Sequence, residues 1–307
     1  METLGSSPTQ SPSPSSSSSS TFNSTSSNLQ NCNSFRYSQP ASVTRPWRLV
    51  AQRNIRNQFS RLVSYRQQWM SLSSSGRTHA TSIVNAYLSQ KYMQAMDLGA
   101  LQDMPNIRKK ACRKLFLRQD LNRRKLLSTY KDMVVVVTNM VNTSGSMRCF
   151  LKGTSNSPHV QFSDDVGDCG GIPVFAFLSI SYFEKLAQEL VEMFILELNL
   201  KRLLVLDLLC ISHETAQQVN LHWSNELYPG EFDDLSKCNL YSKENCELVP
   251  PTIRGLKSDT PAMQSNHQPN NEVLQVYLTT WLAEVNIDTY RVDEIFVVAG
   301  EEMHVNL

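Results

Sequence analysis

Between residues 183 and 208, apolar side chains recur at Phe183, Leu186, Leu190, Phe194, Leu200, Leu204 and Leu208, the three-to-four spacing of a helix face. The stretch 186–211 is apolar over much of its circumference, which a helix lying on a protein surface is not. It also carries Glu189, Glu192, Glu197, Lys201, Arg202 and Asp207, too many charges for a membrane span. Such a helix belongs at the centre of a bundle, so the rest of the chain must supply helices to cover it. Ser181 and Glu184 have capping-box spacing and mark its predicted start.

The covering helices are legible as further periodic runs. A basic amphipathic helix is predicted over 45–70, with Ile55, Phe59, Leu62 and Trp69 on one side and Pro46 in a first turn that tolerates it. The Ser/Gly run 71–76 ends it, and a second helix over 80–96 carries Ile83, Val84, Tyr87, Leu88 and Tyr92. A third is predicted over 105–141, where the β-branched run 134–137 keeps the helical period set by Leu126, Tyr130, Met133 and Met140. A small β-hairpin pairs 148–152 with 159–163, an acidic loop follows at 164–171, and a short helix over 214–227 stops at Pro229 and Gly230. Residues 229–271, rich in Asp, Ser, Asn and Pro, read as a linker or poorly ordered loop. Beyond it, 272–285 is helical through Val273, Val276, Tyr277, Trp281 and Leu282, and Asp288 caps a last helix through Val292, Ile295, Phe296 and Ala299. The expected fold is mainly α: an irregular helical bundle at 45–228 around a long central helix, with at most one small β-hairpin, and a C-terminal helical pair at 272–307 docked on it.

Residues 1–44 stand apart. Twenty-one of the 44 are Ser or Thr, including the homopolymer 15–20, with Pro8, Pro12 and Pro14 between them. Such a segment cannot bury enough apolar surface to offset chain entropy, and a disordered Ser-rich tail is expected. Ser7, Ser11 and Ser13 each precede a proline, as phosphorylation sites often do. The absence of Asp and Glu from residues 3 to 96 also suits a plastid transit peptide, which keeps a chloroplast open as an alternative location.

Net charge is +1, but residues 1–152 hold 21 Lys/Arg against 5 Asp/Glu, whereas 153–307 hold 8 against 23. A basic half of that size calls for an acidic partner: anionic phospholipid, nucleic acid or an acidic protein surface. The competing reading is that the two halves neutralise each other within one fold or a homodimer. Seven cysteines without C-x-x-C spacing suggest reduced thiols in the cytosol or nucleus.

Catalytic motifs are not found in the sequence. His213 and Glu214 begin an H-E-x-x-H pattern that fails at Gln217, the six histidines are scattered, and neither a phosphate-cradling nor a nucleophile-elbow motif occurs. Asp164, Asp165 and Asp168 lack the alternation and closing glutamate of a calcium loop. No catalytic, cofactor or metal residues are assigned.

The candidate site is therefore basic. Arg45, Arg48, Arg53, Arg56, Arg61 and Arg66 lie on the first helix with no acid among them, and near an anionic membrane each would contribute about 1 kcal/mol. Gln52, Arg56 and Arg61 fit the calmodulin-binding frame IQxxxRGxxxR, but Ala51 and Asn57 depart from it, so calmodulin is a minor alternative partner. The second cluster spans Lys109, Lys110, Arg113, Lys114, Arg118, Arg123, Arg124 and Lys125, all but Arg118 taken as site residues, and its ends have the spacing of a bipartite nuclear localisation signal. Leu115, Leu121 and Leu126 between them are expected in the core, which would keep an importin from reading the segment as an extended peptide.

The segments WRLVAQRNIRNQFSRLVSYRQQW and SIVNAYLSQKY, with WLAEVNIDTYRVDEIF near the end, resemble the plant Clavata-complex interactor proteins. That resemblance implies a non-enzymatic adaptor in receptor-kinase signalling, with kinases or receptor complexes as protein partners and phosphoinositide binding at the plasma membrane. The alternative is a nuclear subunit of a chromosome or cell-division assembly, using the same cations on nucleic acid.

Overall fold

The computed structural model describes residues 44–148, 171–212, 221–255 and 270–307, with side chains from Arg48 onward in the first stretch. The expected tail (apart from Thr44), the hairpin expected at 148–163 (apart from Arg148), the acidic loop before Gly171 and residues 214–220 of the expected short helix lie outside the described residues. What is described is mainly α: α1 Thr44–Met93, α2 Ile107–Gly145, α3 Ile180–Cys210, α4 Glu231–Lys237, α5 Asn271–Ala283 and α6 Thr289–Met303, with a two-stranded sheet of β1 Tyr241–Ser242 and β2 Glu247–Leu248.

The long helix is α3, and it occupies the centre as its composition requires. Phe183, Leu190, Met193, Phe194, Leu198, Val205 and Leu208 are all buried. It starts two residues earlier than the capping-box spacing implied. Ser179 is the cap, accepting from the Tyr182 backbone N–H, and Glu184 instead receives two guanidinium hydrogen bonds from Arg148 at 2.5 and 2.6 Å. Phe59 meets Phe183 edge-on and Trp69 meets Phe194, so α1 and α3 run in the same direction. Asn54 donates to the Met147 carbonyl and Gln90 to the Gln119 side chain, which sets α2 antiparallel to α1.

The Ser/Gly run 71–76 does not break the first helix; α1 continues through it for 50 residues, roughly 75 Å. The reason is tertiary. Trp281 of α5 lies against Gly76 so closely that a Cβ there would sit 2.4 Å from a ring carbon, and its indole N–H donates to the Ser73 carbonyl at 3.0 Å. Small side chains make the notch, and the packing of that ring offsets the roughly 1 kcal/mol that a mid-helix glycine costs. Gly76→Ala restores that propensity but forces an atom into an indole, and overpacking costs typically 1–3 kcal/mol. The clash wins, and a net loss of about 1–2 kcal/mol is expected in thermal unfolding. Gly145→Ala, where nothing lies within 4 Å, is expected to leave stability level or raise it.

Helices α5 and α6 lie in succession along α1, opposite to it in direction: the Asn271 amide meets the Tyr92 hydroxyl at one end, and Arg56 donates to the Met303 carbonyl at the other. Both begin as the sequence indicates, with Asn270 and Asp288 accepting from the Val273 and Arg291 backbone N–H groups. Their connecting turn is pinned to α3 and α1. Lys201 is fully buried, its ammonium 3.4 Å from Glu197, 3.7 Å from Glu284 and 4.6 Å from the centre of the Trp281 ring, and it donates to the Trp281 carbonyl. Burial pushes the Lys201 ammonium down and the Glu197 carboxyl up. Glu284 also accepts from the Trp69 indole and the Ser73 hydroxyl.

Glu189 of α3 secures α6 from the other side, accepting twice from Arg291, at 2.9 and 2.6 Å, and once from Arg254. Arg291 and its hydrogen bonds hold this carboxyl down at about 2, against an ordinary 4.5. Because the folded value is the lower one, the contribution is present above the ordinary value and is lost as pH falls through the folded value. Glu189→Gln is therefore expected to destabilise by roughly 1–2 kcal/mol near neutral pH, after allowing for solvent screening. Urea titrations of variant and parent should converge as the pH approaches 2.

Residues 229–255 of the expected linker are ordered. Gly230, in the left-handed region, caps α4, and the fully buried Glu231 takes two bonds from Arg202 at 2.9 and 3.2 Å, one from the Tyr130 hydroxyl at 2.7 Å and one from the Leu227 backbone N–H at 2.7 Å. Arg202 in turn donates to the Trp223 and Asn225 carbonyls and stacks over the Trp223 ring. Residues 221–227, expected to be helical, form turns around that guanidinium. Within the expected linker a hairpin that the sequence reading did not indicate, β1–β2, pairs Tyr241 with Leu248.

Candidate functional site

The thirteen cations singled out in the sequence do not form one surface. Three of the α1 arginines are used inside the fold. Arg48 donates to the Val174 and Phe175 carbonyls, helped by Gln52 on Val174. Arg56 adds to its Met303 bond a position 4.9 Å over the Phe175 ring. Arg66 pairs with Asp293 at 2.6 Å and lies over Phe296. These side chains bind residues 174–175 and α6 to α1, so part of the arginine helix serves as a clamp within the fold. Arg45 lies in the first turn, and its side chain is outside the described residues. Arg53 and Arg61 are exposed, and so is Arg56 despite its bond to Met303.

The second cluster divides differently. Arg123 is half-buried and donates to the Ile211 carbonyl beside Gln119, and burial lowers its affinity for the proton. Lys109, Lys110, Arg113, Lys114, Arg124 and Lys125 are exposed, as is Arg118, which the candidate set omitted. The sequence places one acid, Asp120, within 109–125, and it pairs with Arg124 four residues on. Seven cations thus share about 24 Å of helix.

The face they occupy follows from what α2 buries. Gln119, Asn122, Leu126, Thr129, Tyr130 and Met133 point inward. With 3.6 residues per turn, Leu117 and Arg124 then fall closest to the middle of the outward side, with Lys110 and Leu121 to one side of them. About the line that joins Leu117 to Leu121, which Lys110 continues, Arg113 and Arg124 fall on one flank and Lys114, Lys125 and Arg118 on the other. Leu121, expected in the core, is 49% exposed and Leu117 is 58% exposed, whereas Leu126 is buried as expected. Leu101 and Met104, just before the helix, are exposed as well.

The two oppositely charged halves pack together, but their charges pair sparingly. Arg66–Asp293 and Arg148–Glu184 join them. Cations of the acidic half pair mostly with acids of the same half: Arg254 and Arg291 with Glu189, Lys201 with Glu197, Arg202 with Glu231, Lys237 with Asp234 and Lys243 with Asp233. The outward face of α2 is left with its positive charge.

A constellation that sequence reading missed lies between α1 and α2. The Ser75 hydroxyl is 3.4 Å from Nε2 of His79, and Nδ1 of His79 is 3.3 Å from Oδ1 of Asn122. That is the order of a nucleophile, a base and a group that orients it. The i, i+4 spacing of Ser75 and His79 was readable in the sequence; the Asn122 contact, 43 residues away, was not. Ser75 sits in an unbroken helix whose N–H groups are engaged along its axis, so no pair of backbone donors faces the hydroxyl to hold an oxyanion. The arrangement works as a polar clasp between helices. Two open depressions, of about 350 Å³ beside Ser74 and Arg77 and about 750 Å³ beside Phe296 and His304, lie on the outside. Among the described residues no helix is long and apolar enough to cross a membrane. Compared with family models and with curated proteins, the chain matches none.

Proposed function

We propose that this protein is a non-enzymatic adaptor of intracellular signalling that docks on an acidic surface through the outward face of α2, at the cytoplasmic side of the plasma membrane. The observation that carries the reading is the run of seven exposed cations between Lys109 and Lys125, set against the single acid Asp120. Exposed faces of core helices ordinarily mix both signs, and an unmixed face creates a field that concentrates anionic partners. The remainder of the fold then serves to present protein partners, with kinases or receptor complexes suggested by the resemblance to Clavata-complex interactors.

The test replaces Lys110, Arg113, Lys114 and Arg124 with Gln, which retains helix propensity and leaves the buried face of α2 untouched. Retention on immobilised heparin is the readout, because a polyanion reports charge without regard to partner class. The quadruple variant is expected to elute at clearly lower salt than the parent, with an unchanged circular dichroism spectrum. Co-elution of the two proteins would contradict the reading. The alternative, a nuclear protein using this face on nucleic acid, is favoured instead if duplex DNA retains the parent to higher salt than heparin does.

A further inference from the structure

We infer that the acidic surface recognised by α2 is an anionic lipid bilayer, and that Leu117 and Leu121 enter its interface while the flanking cations hold the headgroup phosphates. This rests on the docking reading above and goes beyond it, because charge alone gives no role to the two leucines. One turn apart on the outward side, 58% and 49% exposed, they are apolar surface that the fold does not cover. Lys110 continues their line, Arg113 and Arg124 flank it on one side, and Lys114, Arg118 and Lys125 on the other. An apolar line between two basic margins suits a helix lying in the plane of an interface: the centre sinks to the acyl boundary while long cationic side chains reach back to the phosphates.

Charge complementarity decides among the occupants. A second copy docked through the same face would set seven cations against seven, which excludes a symmetric pair. A duplex nucleic acid would present phosphates to Leu117 and Leu121 as well as to the lysines, and would gain nothing from the leucines. A bilayer containing phosphatidylserine offers negative charge at the margins and hydrocarbon beneath the centre, matching both parts of the face.

The experiment is co-sedimentation of the full chain with vesicles of phosphatidylcholine alone and with phosphatidylserine added. The parent is compared with Leu117→Ser/Leu121→Ser and with the quadruple Gln variant. Both leucines are exposed, so the serine pair leaves the core intact. The parent is expected to bind only the vesicles containing phosphatidylserine, and the serine pair to bind them about tenfold more weakly while keeping the parent's heparin retention. A Leu117→Trp variant is expected to shift its emission to the blue on the same vesicles, reporting entry into the interface. Undiminished vesicle binding by the serine pair, or unshifted emission from the bound Trp variant, would overturn the inference. If the parent ignores both kinds of vesicle but keeps its charge-dependent heparin retention, the bilayer falls and the docking reading stands. If the quadruple variant co-elutes with the parent on heparin, the docking reading itself falls.

Discussion

Arg202→Met is expected to cost the protein about 3–5 kcal/mol, a large share of the stability of a domain. The guanidinium is fully buried. Removing it strands the Glu231 carboxylate, which is equally buried, and leaves the Trp223 and Asn225 carbonyls without their donor. The cost should come mainly from that stranded charge and not from any net gain the pair supplies. Arg202→Met/Glu231→Met is therefore expected to recover much of the loss, although the Leu227 N–H and the Tyr130 hydroxyl would still lack the acceptor they now share. Urea unfolding of parent, both single variants and the double variant forms a complete cycle. A single-variant cost below about 1 kcal/mol would show that residues 221–240 are not held to α2 and α3 by this pair.

The second large effect is expected at Leu190. Its side chain is completely buried in the middle of α3, where Leu190→Asp sets a carboxylate among apolar groups with no partner provided. Such a group stays neutral at a cost or ionises at a greater one, and either outcome removes several kcal/mol. That is comparable to the whole margin of a typical domain, so the variant is expected to lose its cooperative melting transition near neutral pH. A variant that melts with the parent would mean that α3 is not the organising element.

What the sequence revealed and what it hid can be traced to the range of the interactions. The centre of α3, the inward face of α2 and the Asp288 cap follow from spacing within one helix, and local reading finds them. Gly76 was misread because a Ser/Gly run that ends a helix and one that forms a notch look alike locally; the deciding partner, Trp281, is more than 200 residues away. The same holds for the segment after Gly230, whose order depends on Arg202 reaching Glu231. The arginines of α1 advertised a basic surface, yet Arg48, Arg56 and Arg66 are taken up by backbone carbonyls and by Asp293 of distant segments. Carbonyl acceptors carry no side-chain signature. On α2 the density of cations is plain in the sequence, but Arg123 is half-buried and Leu121, expected in the core, is exposed, because a one-dimensional pattern cannot say which side of a helix its neighbours will cover.

The docking role of α2 is tested most directly by following a C-terminally tagged full-length chain in living cells beside its Lys110→Gln/Arg113→Gln/Lys114→Gln/Arg124→Gln variant. With the seven exposed cations of the face intact, the parent is expected to mark the plasma-membrane rim. The variant, carrying three of the seven, is expected to spread through the cytoplasm at equal abundance. An identical distribution of the two proteins, or a parent confined to the nucleus or to plastids, would contradict the account.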